Sequence, residues 1–187
     1  MIKKEARVIG IDDSPFDKNL KGDTLVIGTV FRGGSYLDGV VSTKVRVDGN
    51  NSTERVVAMI NKSKWKPQLQ CIFLDGIGFG GFNIIDINEL HKKTGIPVIV
   101  VIRRIPDREN IIKTLKKIGM EDKVRLIEEA GEVKKAGRIY IQYVGIPFSK
   151  AKEFLKICCT HSLIPEPVRV SHIIASGVKL GESKGRV

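Results

Sequence analysis

The chain has 187 residues, 42% hydrophobic and 28% charged, with a formal net charge of +11 and a pI near 9.7. That is the make-up of one globular domain, spanning 1–187, large enough for a full α/β core. No apolar stretch approaches the ~20 residues of a membrane span, and the polar start Met1-Ile2-Lys3-Lys4-Glu5 is not a signal peptide, so a soluble, cytoplasmic protein is expected. Of the three cysteines, Cys71 reads as a core residue, and the adjacent Cys158 and Cys159 lack zinc spacing. The basic field favours nucleic acid or another polyanion as partner. A Lys-rich solvated surface is the plainer alternative.

Along the chain, Val and Thr patterning predicts strands over 7–12, 24–32 and 36–47, with Gly33-Gly34-Ser35 turning between the last two. Asp48-Gly49-Asn50-Asn51 breaks the third strand. Ser52 or Thr53 then caps a helix to about Lys62, with Val56, Val57 and Ile60 on one face. A fourth strand covers 70–74. The Gly-rich run 76–81 leads into a helix over 84–94, ended by Gly95. Pro97 to Ile102 is a continuous Val/Ile run, as in a strand buried on both faces. A helix over 107–118 follows, then an ambiguous stretch, 120–136. Arg138 to Val144 reads as an edge strand. A helix over 149–161 is capped by Ser149. Pro165-Glu166-Pro167 breaks the chain before a last helix over 168–180. A hairpin-connected meander feeding parallel βα units is a mixed sheet flanked by helices, the layout of a ribonuclease H-like fold.

Two strands end in acids. Asp12 closes Val8-Ile9-Gly10-Ile11, and Asp75 closes Cys71-Ile72-Phe73-Leu74. Such runs deliver carboxylates to the C-terminal edge of a sheet, where two on neighbouring strands can share a divalent cation. The alternative for Asp12 is an Asp-Asp-Ser-Pro turn. Asp13 faces the other way in extended backbone and suits a supporting role. Asp75-Gly76-Ile77-Gly78-Phe79-Gly80-Gly81 formally contains a dinucleotide-type GxGxxG motif. The preceding carboxylate is poorly placed for a pyrophosphate, and Arg103-Arg104 stands where a ribose-binding acid is needed. Gly78, Gly80 and Gly81 instead suit a close approach of backbone to a phosphate or metal. Phe79 and Phe82 offer either a stacking surface or core packing. Glu54 alone is an ordinary first-turn acid, and His172 alone an ordinary helix residue.

The segments Ile9-Gly10-Ile11-Asp12-Asp13-Ser14-Pro15-Phe16, Phe73-Leu74-Asp75-Gly76 with Gly80-Gly81-Phe82-Asn83, and Pro165-Glu166-Pro167-Val168-Arg169-Val170-Ser171-His172 together resemble an uncharacterised archaeal family. It is grouped with endonuclease V and sometimes labelled endonuclease dU. The resemblance covers nearly the whole chain. It implies a ribonuclease H-like, Mg²⁺-dependent (or Mn²⁺-dependent) endonuclease acting near deaminated bases, as in DNA repair. It implies that Asp12, Asp75 and Glu54 hold the metal and that His172 is a ligand or orients water. It also makes Arg103, Arg104 and Arg169 candidates for phosphate contact. Two features of endonuclease V are missing. Gly80-Gly81-Phe82 stands near the place of its His-Pro-Arg, and Asp48-Gly49-Asn50-Asn51 replaces its strand-separating Pro-Tyr-Ile-Pro wedge. A non-catalytic nucleic-acid-binding protein of the same fold and a dinucleotide-binding oxidoreductase are the alternative readings.

Overall fold

The computed structural model describes residues 1–17 and 22–184. Nine strands and six α-helices follow one another among these residues. Strands β1 (Arg7–Asp13), β2 (Asp23–Arg32) and β3 (Tyr36–Arg46) form an antiparallel meander. Helix α1 (Ser52–Asn61) returns to β4 (Cys71–Asp75). A small hairpin of β5 (Gly78–Phe79) and β6 (Asn83–Ile84) precedes α2 (Ile87–Thr94) and β7 (Val98–Ile102). Helices α3 (Arg108–Lys117) and α4 (Val124–Glu129) lead to β8 (Lys134–Ala136) and β9 (Ile139–Val144). Helices α5 (Phe148–Cys158) and α6 (Glu166–Leu180) complete the chain. The main sheet has seven strands in the order β3-β2-β1-β4-β7-β9-β8. Strands β1, β4 and β7 are parallel at its centre.

Strand alternation divides the interior into two layers. Ile9, Ile11, Ile72 and Leu74 face one core, beneath α1 and α2. Val8, Cys71, Phe73 and Ile99 face the other, beneath α5 and α6. No described helix is long and apolar enough to cross a membrane.

Five local expectations are corrected. The Gly-rich run does not lead into a helix at residue 84. It folds back as the β5–β6 hairpin, and α2 starts at Ile87 with Asp86 as its cap, accepting from the Glu89 N–H. The segment Arg138 to Val144 is not at the edge, because β8, formed from the ambiguous stretch, pairs outside it. Helix α1 has no side-chain cap; Thr53 Oγ1 instead accepts from the Asp86 N–H at 2.9 Å. Helix α5 begins at Phe148, after Pro147, so Ser149 lies inside it. Pro165-Glu166-Pro167 does not delay α6 to residue 168, since proline in a first helical turn gives up an N–H that had no partner there.

Gly10 positions α6. A Cβ at residue 10 would lie 2.2 Å from the Pro167 carbonyl carbon and 2.4 Å from the Val168 nitrogen. Only glycine lets the helix backbone come this close to β1. The Thr29 hydroxyl donates to the Pro167 carbonyl at 2.6 Å and fastens the same turn to β2.

Candidate metal centre at the sheet edge

Asp12 and Asp75 end neighbouring parallel strands with the same parity, so both turn away from the Ile9–Leu74 core and toward α6. With α6 held close at Gly10, His172 arrives one and a half turns later, and its Nδ1 lies 2.8 Å from Asp12 Oδ2. One donor atom each from Asp12, Asp75 and His172 lies within 4.8 Å of the others. Asp12 is 5% exposed, and its other oxygen accepts from the Asp13 N–H at 2.9 Å. The far ring nitrogen of His172 faces the Lys184 carbonyl at 3.4 Å.

The electrostatics suit a cation. Burial, and then the Asp12 charge, push the Asp75 carboxyl up to about 6, against the opposing pull of Arg103 and His172. The Asp12 hydrogen bond raises His172. Arg103 donates to Asp75 Oδ2 at 2.7 Å, supplying part of the positive charge the acids lack. Two carboxylates and an imidazole form a donor set that Mg²⁺ or Mn²⁺ accepts.

Glu54 is not brought into this cluster. It is exposed in the first turn of α1, on the opposite layer, and lines a separate hollow with Asp86, Glu89 and Lys93. Arg104 is exposed. Arg169 is bound to the buried Glu166 carboxylate at 2.7 Å. Gly78, Gly80 and Gly81 shape the β5–β6 hairpin rather than a helix N-terminus, which removes the geometric basis of the dinucleotide reading. Phe79 is fully buried in the core, and Phe82 packs against the Leu115–Ile127 cluster.

Two acids hold that hairpin: Asp13, given a supporting role by its strand parity, and Asp48, read from the sequence only as part of a turn. Asp13 Oδ2 accepts from the Gly80 N–H at 2.9 Å. Burial, and then the Asp12 charge, push Asp13 up to about 7. Asp48 is the one described non-glycine residue with positive φ, at 53°. It donates its own N–H to the Gly80 carbonyl, and its Oδ1 accepts from the Phe82 N–H at 2.8 Å. Lys123, 3% exposed, donates to the Asp48 and Gly49 carbonyls at 3.1 and 2.9 Å. The Asp48-Gly49 pair was a visible turn signal, but nothing local announced its partners 34 and 75 residues away. The hairpin and β7 together wall an apolar hollow of about 660 Å³ with Asp75 at its rim, lined among others by Ile77, Phe82, Val100 and Ile111.

The endonuclease dU family model matches residues 4–179. A UPF0215 protein of Methanothermobacter thermautotrophicus is 51% identical over 98% of this chain and 93% of its own length. The crystal structure of a protein of unknown function from Archaeoglobus fulgidus superposes with a TM-score of 0.86 at 39% identity, covering 92% of this chain and 97% of that one. Endonuclease V of Ciona intestinalis, solved with a 24mer DNA containing an inosine followed by a ribo-adenosine, gives 0.56 at 18% identity, over 89% and 82% of the two chains. Endonuclease V of Bacillus subtilis gives 0.62 at 10% identity, over 93% and 81%. These likenesses establish a ribonuclease H-like fold.

Proposed function

The chain belongs to the endonuclease dU family, and from that membership and the acid–histidine cluster we propose that it is a divalent-metal-dependent endonuclease hydrolysing phosphodiester bonds in nucleic acid. The observation that carries this reading is the convergence of Asp12, Asp75 and His172 within 4.8 Å. Asp12 and Asp75, with His172, would hold Mg²⁺ or Mn²⁺. Bound there, the ion supplies Lewis-acid polarisation of the phosphoryl group and an activated water.

The remaining steps fall to the chain's own residues. Asp13 orders the backbone on either side of the site, through the bond between its N–H and Asp12 and through its carboxylate on Gly80. Were a cation to take its place on Asp75, Arg103 would be free to contact a phosphate. The apolar hollow beside Asp75 is a fitting place for a base drawn out of its stack. Extrusion costs a few kcal/mol, least for a mispaired or single-stranded base, and the hollow's apolar walls would offset part of it. That is the support for a deaminated-base substrate.

The test is incubation of labelled single strands and duplexes, each with one inosine or one uracil, in Mg²⁺, Mn²⁺ and chelator. Metal-dependent cleavage abolished by Asp75→Asn is the expected result. Bound metal and bound strand without cleavage would overturn the enzymatic reading in favour of a non-catalytic binder.

A further inference from the structure

On the same sheet layer as Asp12 and Asp75, a groove of about 410 Å³ runs between α5 and the β8–β9 turn. Its floor includes Ala136, Ile139 and Leu155, which belong to the core shared with Phe73 and Val168. Arg138 stands on one wall, and Lys152 and Lys156, one turn apart on α5, stand on the other; all three are exposed. No Asp or Glu lines the groove. None of the three cations has an ion pair among the described residues, although Lys152 lies 5.0 Å from the centre of the Phe148 ring.

Several other helical cations are matched. Lys93 is matched by Glu89, Arg125 by Glu129 and Arg169 by Glu166, and on α5 itself Lys150 is matched by Glu153. Like charges one helical turn apart repel. An unmatched trio around a cleft is therefore a local field awaiting an anion.

The sheet also sets the groove's direction. Tyr140 pairs with Ile102, so the β8–β9 turn lies at the end of β7 from which Arg103 reaches Asp75. Strand β9 lies two strand spacings from β4, about 10 Å. A strand leaving the metal centre past Arg103 meets Arg138 next, then the two lysines.

We infer that this groove is a second phosphate-binding surface, guiding a single nucleic-acid strand to or from the metal centre. The inference rests on nucleic acid being the substrate, but its test needs neither metal nor cleavage. Binding of a fluorescent oligothymidylate of about 20 nucleotides to the full chain is measured in chelator over a series of salt concentrations. The triple variant Arg138→Gln/Lys152→Gln/Lys156→Gln should lower the log–log salt slope by about 2, at roughly 0.7 per phosphate lost. A control triple of exposed lysines on the other layer, Lys62→Gln/Lys92→Gln/Lys116→Gln, should change it by less than about half a unit. Should the triple variant fail to fold, Lys156→Glu alone should weaken low-salt binding at least roughly threefold. An unchanged slope, equal slopes for the two triples, or wild-type binding by Lys156→Glu would overturn the groove. Mn²⁺ should still raise the thermal midpoint of the groove variant. Loss of that shift in the wild-type chain, with the slope difference intact, would instead overturn the metal centre.

Discussion

The Arg103 guanidinium holds Asp75 Oδ2 at 2.7 Å, on the very carboxylate that the proposed metal centre needs. The arginine side chain is 37% exposed and the aspartate 17%, so the pair is partly screened by solvent. A divalent cation must compete with it. Arg103→Gln should therefore tighten Mn²⁺ binding roughly fivefold, equivalent to ~1 kcal/mol, while weakening strand binding. Calorimetric titration of both proteins reads the first effect; weaker Mn²⁺ binding by the variant would make Arg103 a support of the site and not a competitor.

Ligand substitutions should separate the three clustered residues from Glu54. Asp12→Asn and Asp75→Asn are each expected to abolish the Mn²⁺-induced rise in thermal midpoint. Each should lower cleavage by at least about 100-fold, beyond the usual effect of losing an outer partner. His172→Ala should weaken metal binding less. Glu54→Gln, altering an exposed side chain of the other layer, should keep the Mn²⁺ shift. A Glu54→Gln protein blind to Mn²⁺ would show that the helix moves in when metal binds.

Stability should depend on pH with a definite sign. Asp13 titrates near 7 and Asp75 near 6, both above the ordinary 3.8. Between about pH 4 and 7 the folded metal-free chain therefore holds more protons than the unfolded chain, and these acids cost stability as pH rises. His172, raised by Asp12, adds stability below its unfolded value that is lost as pH passes its folded value. All three act in one direction, so in chelator they lower the thermal midpoint from pH 5 to pH 8. Asp13→Asn should flatten that fall and raise the midpoint at pH 8. Parallel curves for the two proteins would refute the assignment. Mn²⁺, which prefers the deprotonated acids, should stabilise more at pH 8 than at pH 5.

Gly10→Ala places a methyl where the Pro167 backbone stands, and backbone cannot rotate aside. Destabilisation of about 1–3 kcal/mol is expected. Displacement of α6 should also weaken the Mn²⁺ shift more than an equally destabilising change distant from α6, such as Leu115→Val. Denaturant titration together with Mn²⁺ titration reads both.

Without the wedge of endonuclease V, cleavage should favour single-stranded or mispaired substrates over intact duplex. The comparison is the rate on a matched single strand and duplex, each with one inosine. Equal or faster duplex cleavage would mean that another element opens the helix.

Much of this architecture was legible because it is periodic. Apolar runs ending in Asp12 and Asp75 announced buried strands carrying acids to the sheet edge, while their shared face is set by the β1–β4 register. His172 was different. Its neighbours gave no reason to single it out, and only the resemblance did so, because a helix pattern does not say which strand its helix will cross. The glycine run misled for a physical reason. Gly80 and Gly81 both take positive φ and turn the chain back, held by Asp13 at the end of β1 and Asp48 in the turn after β3. A local reading sees the glycines and not what fastens them. Glu54 was raised by resemblance alone, and the first turn of α1 leaves it facing solvent.

The bond between His172 and Asp12 joins residues 160 positions apart. At ~5–20 residues per second, Asp12 waits roughly 10–30 s during synthesis before its partner exists. Until α6 settles against Gly10, a nascent chain has two acids at the sheet edge and no imidazole beside them. A polypeptide interrupted between α5 and α6 would carry the groove cations and the strands, yet not the completed centre. The proposed nuclease centre is thus completed only at the last stage of the chain's own production.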